Sequence, residues 1–68
     1  MKKLINTIRK YKKEYDNATN DSRKHWMCDG AAERICDYCE DHPDVNGLEL
    51  RKQIAADLNW PALAEFHF

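Results

Sequence analysis

Glycine and proline are scarce in this chain, two of each in 68 residues. So few backbone breaks favour helices. Strand-like alternation, internal repeats and low-complexity tracts are also missing. Cysteine stops at an odd three (Cys28, Cys36 and Cys39), enough for one disulfide at most. That excludes a disulfide framework and suits a reducing compartment. No apolar run approaches the ~20 residues of a membrane span. The start, Met1-Lys2-Lys3-Leu4, has the basic opening of a signal peptide, but Asn6, Thr7, Arg9 and Lys10 interrupt the apolar stretch that would have to follow. The expectation is a cytoplasmic protein with no membrane contact. Catalytic motifs are lacking too: there is no Gly-x-Ser-x-Gly, no phosphate-cradling glycine loop and no His-Glu-x-x-His. The three histidines, His25, His42 and His67, are scattered. A protein without enzymatic activity and without a cofactor is expected.

What remains is apolar and charged residue in the proportions of a folded chain, 43% and 34%. Sixty-eight residues make one domain, spanning 1–68. A domain of that size buries only roughly 60% of its unfolded surface, which leaves little volume for a substrate cleft.

The charge is sorted along the chain. Residues 1–25 carry eight Lys/Arg against three acids, a net of +5, and residues 26–68 carry three against nine, a net of −6. The formal total of −1 conceals this polarity. Such a distribution argues for a surface that steers its partner electrostatically.

Hydrophobic spacing places the helices. Leu4, Ile8, Tyr11, Tyr15 and Ala18 recur at helical intervals and predict a first helix over about 3–18, with Ile5 widening its stripe. The run Asn17 to Ser22 is rich in capping and turn residues, so a second helix is expected from about Ser22. Cys28, Ala31, Ala32, Ile35 and Cys39 share one face of it. Asp29-Gly30 is a candidate break, yet the stripe stays in phase across it, which favours one helix to about Glu40. A loop follows over 41–47. Asn46 is placed to cap a third helix with Glu49 at its third position, and Leu50, Ile54 and Leu58 form the buried stripe. Asn59 and Trp60 end that helix. Pro61 suits the first position of a short last helix through about Phe66, which folds Trp60, Leu63 and Phe66 back on the core. The expected fold is all-α, a small three-helix bundle with a short additional C-terminal helix.

Two groups of residues invite a chemical reading. His25, Cys28, Cys36 and Cys39 form an H-x2-C-x7-C-x2-C pattern of zinc-ligating types. On an unbroken helix, however, His25 and Cys39 stand about 21 Å apart, too far to share an ion. The smaller set Cys36, Cys39 and His42, with Asp41 or Asp44, lies at a helix end and is easier to close. The bland alternative is that cysteines act as small buried hydrophobes. As a redox pair, Cys36-x-x-Cys39 stands at the wrong end of its helix, among Asp37, Glu40 and Asp41, all of which disfavour a thiolate.

The other candidates are surfaces. Asp29, Glu33, Asp37 and Glu40 are spaced 4, 4 and 3 and form an acidic row on the second helix. Trp26 falls on the same side. It is either an exposed interface anchor beside the acids or a side chain folded over the junction of the first two helices onto Tyr15 or Ala18. The acidic row suits a partner protein with a basic surface. Alternatively, Lys10, Lys12 and Lys13, within the basic first helix, could contact phosphates of a nucleic acid. Either set of charges is also what an ordinary solvated helix face looks like, and the basic helix could simply attract the acidic one.

In general type, a short charge-polarised chain without catalytic residues resembles the accessory proteins of phages and mobile elements. Many of those block host nucleic-acid-handling or defence complexes, of the anti-CRISPR or anti-restriction kind. That resemblance implies an inhibitor acting through the acidic face. The alternatives are a nucleic-acid-binding protein using the first helix, or a zinc-stapled helical adaptor.

Overall fold

The computed structural model describes residues 2–66. These form α1 (Lys2–Asn17), α2 (Asp21–Asp41), α3 (Gly47–Asp57) and a short α4 (Pro61–Glu65). The expected all-α architecture is present, with no strand among the described residues. The central element is α2, which packs against α1, α3 and α4. No helix among the described residues is long and apolar enough to cross a membrane.

Local chemistry sets the helix ends. Asn20 stands in extended conformation before α2, and its side-chain oxygen accepts from the Arg23 backbone N–H at 2.8 Å. Asn46 does the same for α3, accepting from the Glu49 N–H at 3.1 Å. Each satisfies a donor that the first helical turn would leave orphaned. At the far end of α2, His42 breaks the helix: its N–H reaches Cys39 O and its ring stacks on Tyr38 at 4.0 Å. Pro43 follows, which keeps His42 out of helical geometry.

The α3 to α4 turn aims the largest core side chain. Asn59 adopts a left-handed conformation with φ 53°. The Trp60 N–H then donates back to Ala55 O at 2.7 Å, and the Asn59 N–H to Ala56 O at 3.2 Å. This is the paired hydrogen bonding of a Schellman stop. It swings the Trp60 indole inward, where it is 1% exposed and tilts against the Tyr15 ring at 5.0 Å. Pro61 then opens α4, where its missing N–H costs nothing.

The core joins Leu4 and Ile8 of α1, Cys28, Ala31, Ala32 and Ile35 of α2, Leu50, Ile54 and Ala55 of α3, then Trp60 and Leu63. Of these, Trp60, Ile8, Ile54 and Leu63 are the largest fully buried side chains. Burying an aliphatic side chain of this size contributes about 1.5–3 kcal/mol. Tyr11, Tyr15, Cys39 and Leu58, expected in the stripes, are half-buried at the margin of this cluster.

Gly30 does not break α2, which runs through it without interruption. A Cβ at this position would lie 2.5 Å from Cε1 of Tyr11 and 3.2 Å from Cδ1 and Cζ. The missing side chain is a notch that lets the Tyr11 ring of α1 rest against the α2 backbone.

Candidate protein-binding face

Helical periodicity puts Trp26, Asp29, Glu33, Asp37 and Glu40 on one side of α2, and all five side chains are exposed. Trp26 is 67% exposed. The Tyr15 ring packs against Trp60, not against Trp26. Among the described residues, Leu48 on α3 is the other large hydrophobic side chain left in solvent, 53% exposed.

Arg34 partly offsets the acidic row. Its Nη2 lies 3.4 Å from Glu33 and 3.2 Å from Asp37. Asp29 and Glu40 have no such ion pair among the described residues. Pairs this exposed contribute about 0–1 kcal/mol at most. The row therefore keeps most of its field for an approaching charge.

The basic α1 surface is less available. Lys12 is held by Asp16 one turn on, at 2.6 Å, while Lys10 and Lys13 point to solvent. The tyrosines of α1 are half-buried in helix packing, so among the described residues of α1 no exposed aromatic stands beside the lysines for a base to stack on. The Arg23–Glu14 ion pair between α1 and α2 lies wholly within the basic segment 1–25, with the base on α2 and the acid on α1, at 3.3 Å.

The metal-ligating types are not assembled. With α2 continuous, His25, Cys28, Cys36 and Cys39 are spread over four turns of one helix, and the His25 ring lies 5.2 Å from Phe66. His42 is drawn away from Cys36 and Cys39, with Nδ1 2.9 Å from Tyr38 O. No group of three or more His, Cys, Asp or Glu able to hold an ion occurs among the described residues. The four-residue pattern His25, Cys28, Cys36 and Cys39 needed a break in α2 to close on one ion, and α2 has none. His67 lies outside the described residues.

Two of the thiols, Cys28 and Cys36, are held toward the protonated form. Burial pushes the Cys28 thiol up, and the neighbouring Trp60 indole pulls more weakly the other way. Partial burial and the Cys39 thiol raise Cys36 as well, with Arg51 opposing and Asp37 and Glu40 adding to the rise. A thiolate at Cys36 is thereby disfavoured, chiefly by burial.

The chain matches no protein-family model, no curated protein and no solved structure.

Proposed function

We propose that this chain is a non-catalytic protein-binding protein that docks a basic surface of its partner through the exposed side of α2. Asp29, Glu33, Asp37 and Glu40 supply charge, and Trp26 is the apolar anchor. The observation that carries this reading is the exposure of Trp26 among acids, 67%, in a chain whose other tryptophan is 1% exposed and serves the core. An indole in solvent does not stabilise the fold, whereas tryptophan is enriched among residues that dominate binding energy. Acids around it would steer a basic partner into place and make association strongly dependent on salt. Three free thiols fit a reducing compartment for this encounter.

A protein surface built to hold nucleic acid is basic. An acidic face seated on it would exclude the nucleic acid, so the finer reading is an inhibitor of a nucleic-acid-handling or defence complex. The test is affinity purification of the tagged chain from its source cell or host, with and without nuclease. One protein complex retained in near-stoichiometric amount after nuclease, and lost with the Glu33→Lys/Asp37→Lys double variant at unchanged helical content, is the expected result. Retention of the same complex by the double variant refutes the acidic-face reading. Loss of all retained material on nuclease treatment moves the assignment to Lys10 and Lys13 of α1.

A further inference from the structure

Beside the acidic row, an open apolar groove of about 510 Å³ runs between α2 and the start of α3. Its floor is Ala32, Ile35, Cys36 and Cys39, and Gly47 and Leu48 close the α3 side. Its rims carry opposite charge. Glu40 stands on the α2 rim and Arg51 on the α3 rim. Helical spacing continues the α2 rim from Glu40 back to Glu33 and Asp29, at intervals of 7 and 4. Lys52 follows Arg51 on α3 and is exposed.

We infer that this groove seats an amphipathic helix of the partner protein, its apolar stripe against the floor and its Lys/Arg flank toward the Asp29–Glu33–Glu40 rim. The inference rests on the protein-binding reading above and gives that partner a shape as well as a charge. Three features select this occupant. The floor repeats from residue 32 to residue 39 at spacings of three and four, a length of about 10 Å, which matches the i, i+3/i+4, i+7 stripe of two helical turns. An extended segment would find no ladder here, because backbone groups within α2 and α3 are already paired inside their helices. A small polar ligand would need converging polar groups, and the groove offers only Glu40 and Arg51, on opposite rims. The rim charges also fix direction. A helix with cations on one flank and acids on the other satisfies both rims in one orientation and neither when reversed.

Leu48 explains itself in this arrangement. It is 53% exposed at the mouth of the groove, where an incoming apolar side chain would complete its burial.

Three synthetic helix-forming peptides test this on the full chain. The first carries leucine at i, i+3, i+4 and i+7 with lysines on one flank and glutamates on the other. The second has every leucine replaced by glutamine. The third has every lysine replaced by glutamate. Affinity is read by anisotropy of labelled peptide, and the site by amide shifts of isotope-labelled protein. The first peptide is expected to bind and to shift Ala32, Cys36, Cys39 and Leu48. Leu48→Ser is expected to weaken it about tenfold, with unchanged helical content because the side chain is half in solvent. The second and third peptides are expected to bind much more weakly. Equal binding of the first and second, or indifference to Leu48→Ser, overturns the groove and leaves the acidic row standing. Equal binding of the first and third overturns the charged rim and, with it, the acidic-face reading. No shift with any peptide overturns both.

Discussion

Replacing Gly30 with alanine sets two effects of known size against each other. Gly30 lies inside α2, where alanine is favoured over glycine by about 1 kcal/mol. If the helix alone decided, Gly30→Ala would stabilise. The added Cβ would stand 2.5 Å from Cε1 of Tyr11, with Cδ1 and Cζ at 3.2 Å. Carbon atoms rest at about 3.5–4.0 Å, so the ring has to retreat by about 1 Å. Tyr11 is half-buried against the core and cannot swing away without uncovering apolar surface. Overpacking of this kind costs about 1–3 kcal/mol. The steric effect wins, and Gly30→Ala should destabilise by about 1 kcal/mol, lowering the melting temperature by about 4–8 °C in a domain of this size.

The control is the same change in a Tyr11→Ala background. With the ring gone, only the propensity gain remains, and Gly30→Ala should stabilise by about 1 kcal/mol. The two backgrounds then differ by about 2 kcal/mol, within the range for residues in direct contact. Urea denaturation followed by far-UV circular dichroism gives all four corners of the cycle. If Gly30→Ala stabilises equally in both backgrounds, the Tyr11 ring does not rest in the notch and the account of how α1 seats on α2 is wrong.

Asn59 holds φ 53°, a region where a residue with a side chain is strained and glycine is not. Asn59→Gly should be neutral or slightly stabilising and Asn59→Val destabilising by at least about 1 kcal/mol; equal stability of the two in thermal melts would remove the Schellman stop from the argument. The Cys28 thiol has an ordinary value of 9.0 when unfolded, and burial raises it in the folded chain. Stability from this group is therefore complete below pH 9 and falls as pH rises through the raised folded value, because the unfolded thiol releases its proton first. Cys28→Ala should flatten that alkaline slope, and identical slopes would contradict it. The tryptophans should separate cleanly: Trp60→Ala costs about 3–5 kcal/mol and unfolds much of the population, whereas Trp26→Ser changes stability by less than about 0.5 kcal/mol. A large loss of stability from Trp26→Ser would mean that its side chain serves the fold.

The helices were readable because their signals are local. Leu4 and Ile8, Cys28 to Ile35, and Leu50 with Ile54 mark buried faces by spacing alone, and Asn46 with Glu49 marks a start within four residues. The α2 start lies one residue before the expected Ser22 because Asn20, not a later residue of the capping-rich run, supplies the side-chain oxygen. Gly30 was ambiguous for a different reason. Its role depends on Tyr11, nineteen positions earlier, and spacing within one helix carries no information about what crosses it. The placement of Trp26 had the same character. Periodicity put it among the acids, but its exposure depended on which tryptophan reached Tyr15, and the left-handed Asn59 sends Trp60 there. The groove beside Leu48 was not legible, since it exists only through the approach of α3 to α2. Leu48 lies outside the Leu50–Ile54–Leu58 stripe, so spacing gives it no role.

The sorted charge is where sequence and fold meet on function. Attraction between a basic α1 and an acidic α2 would have made the polarity an internal staple. The ion pairs argue otherwise. Lys12 pairs with Asp16 on its own helix, Arg34 with Glu33 and Asp37 on its own helix, and Arg23–Glu14 crosses between helices with the signs reversed. None of these joins an α1 lysine to the α2 row, and each is an exposed pair worth about 0–1 kcal/mol. Stability is carried by Ile8, Ile54, Trp60 and Leu63, which bear no charge. The polarity is thus left on the outside of the molecule, facing whatever approaches. A charge-neutralised surface on both halves should fold equally well. What such a protein would lose is the field at long range, and hence the rate at which the proposed basic partner would find α2.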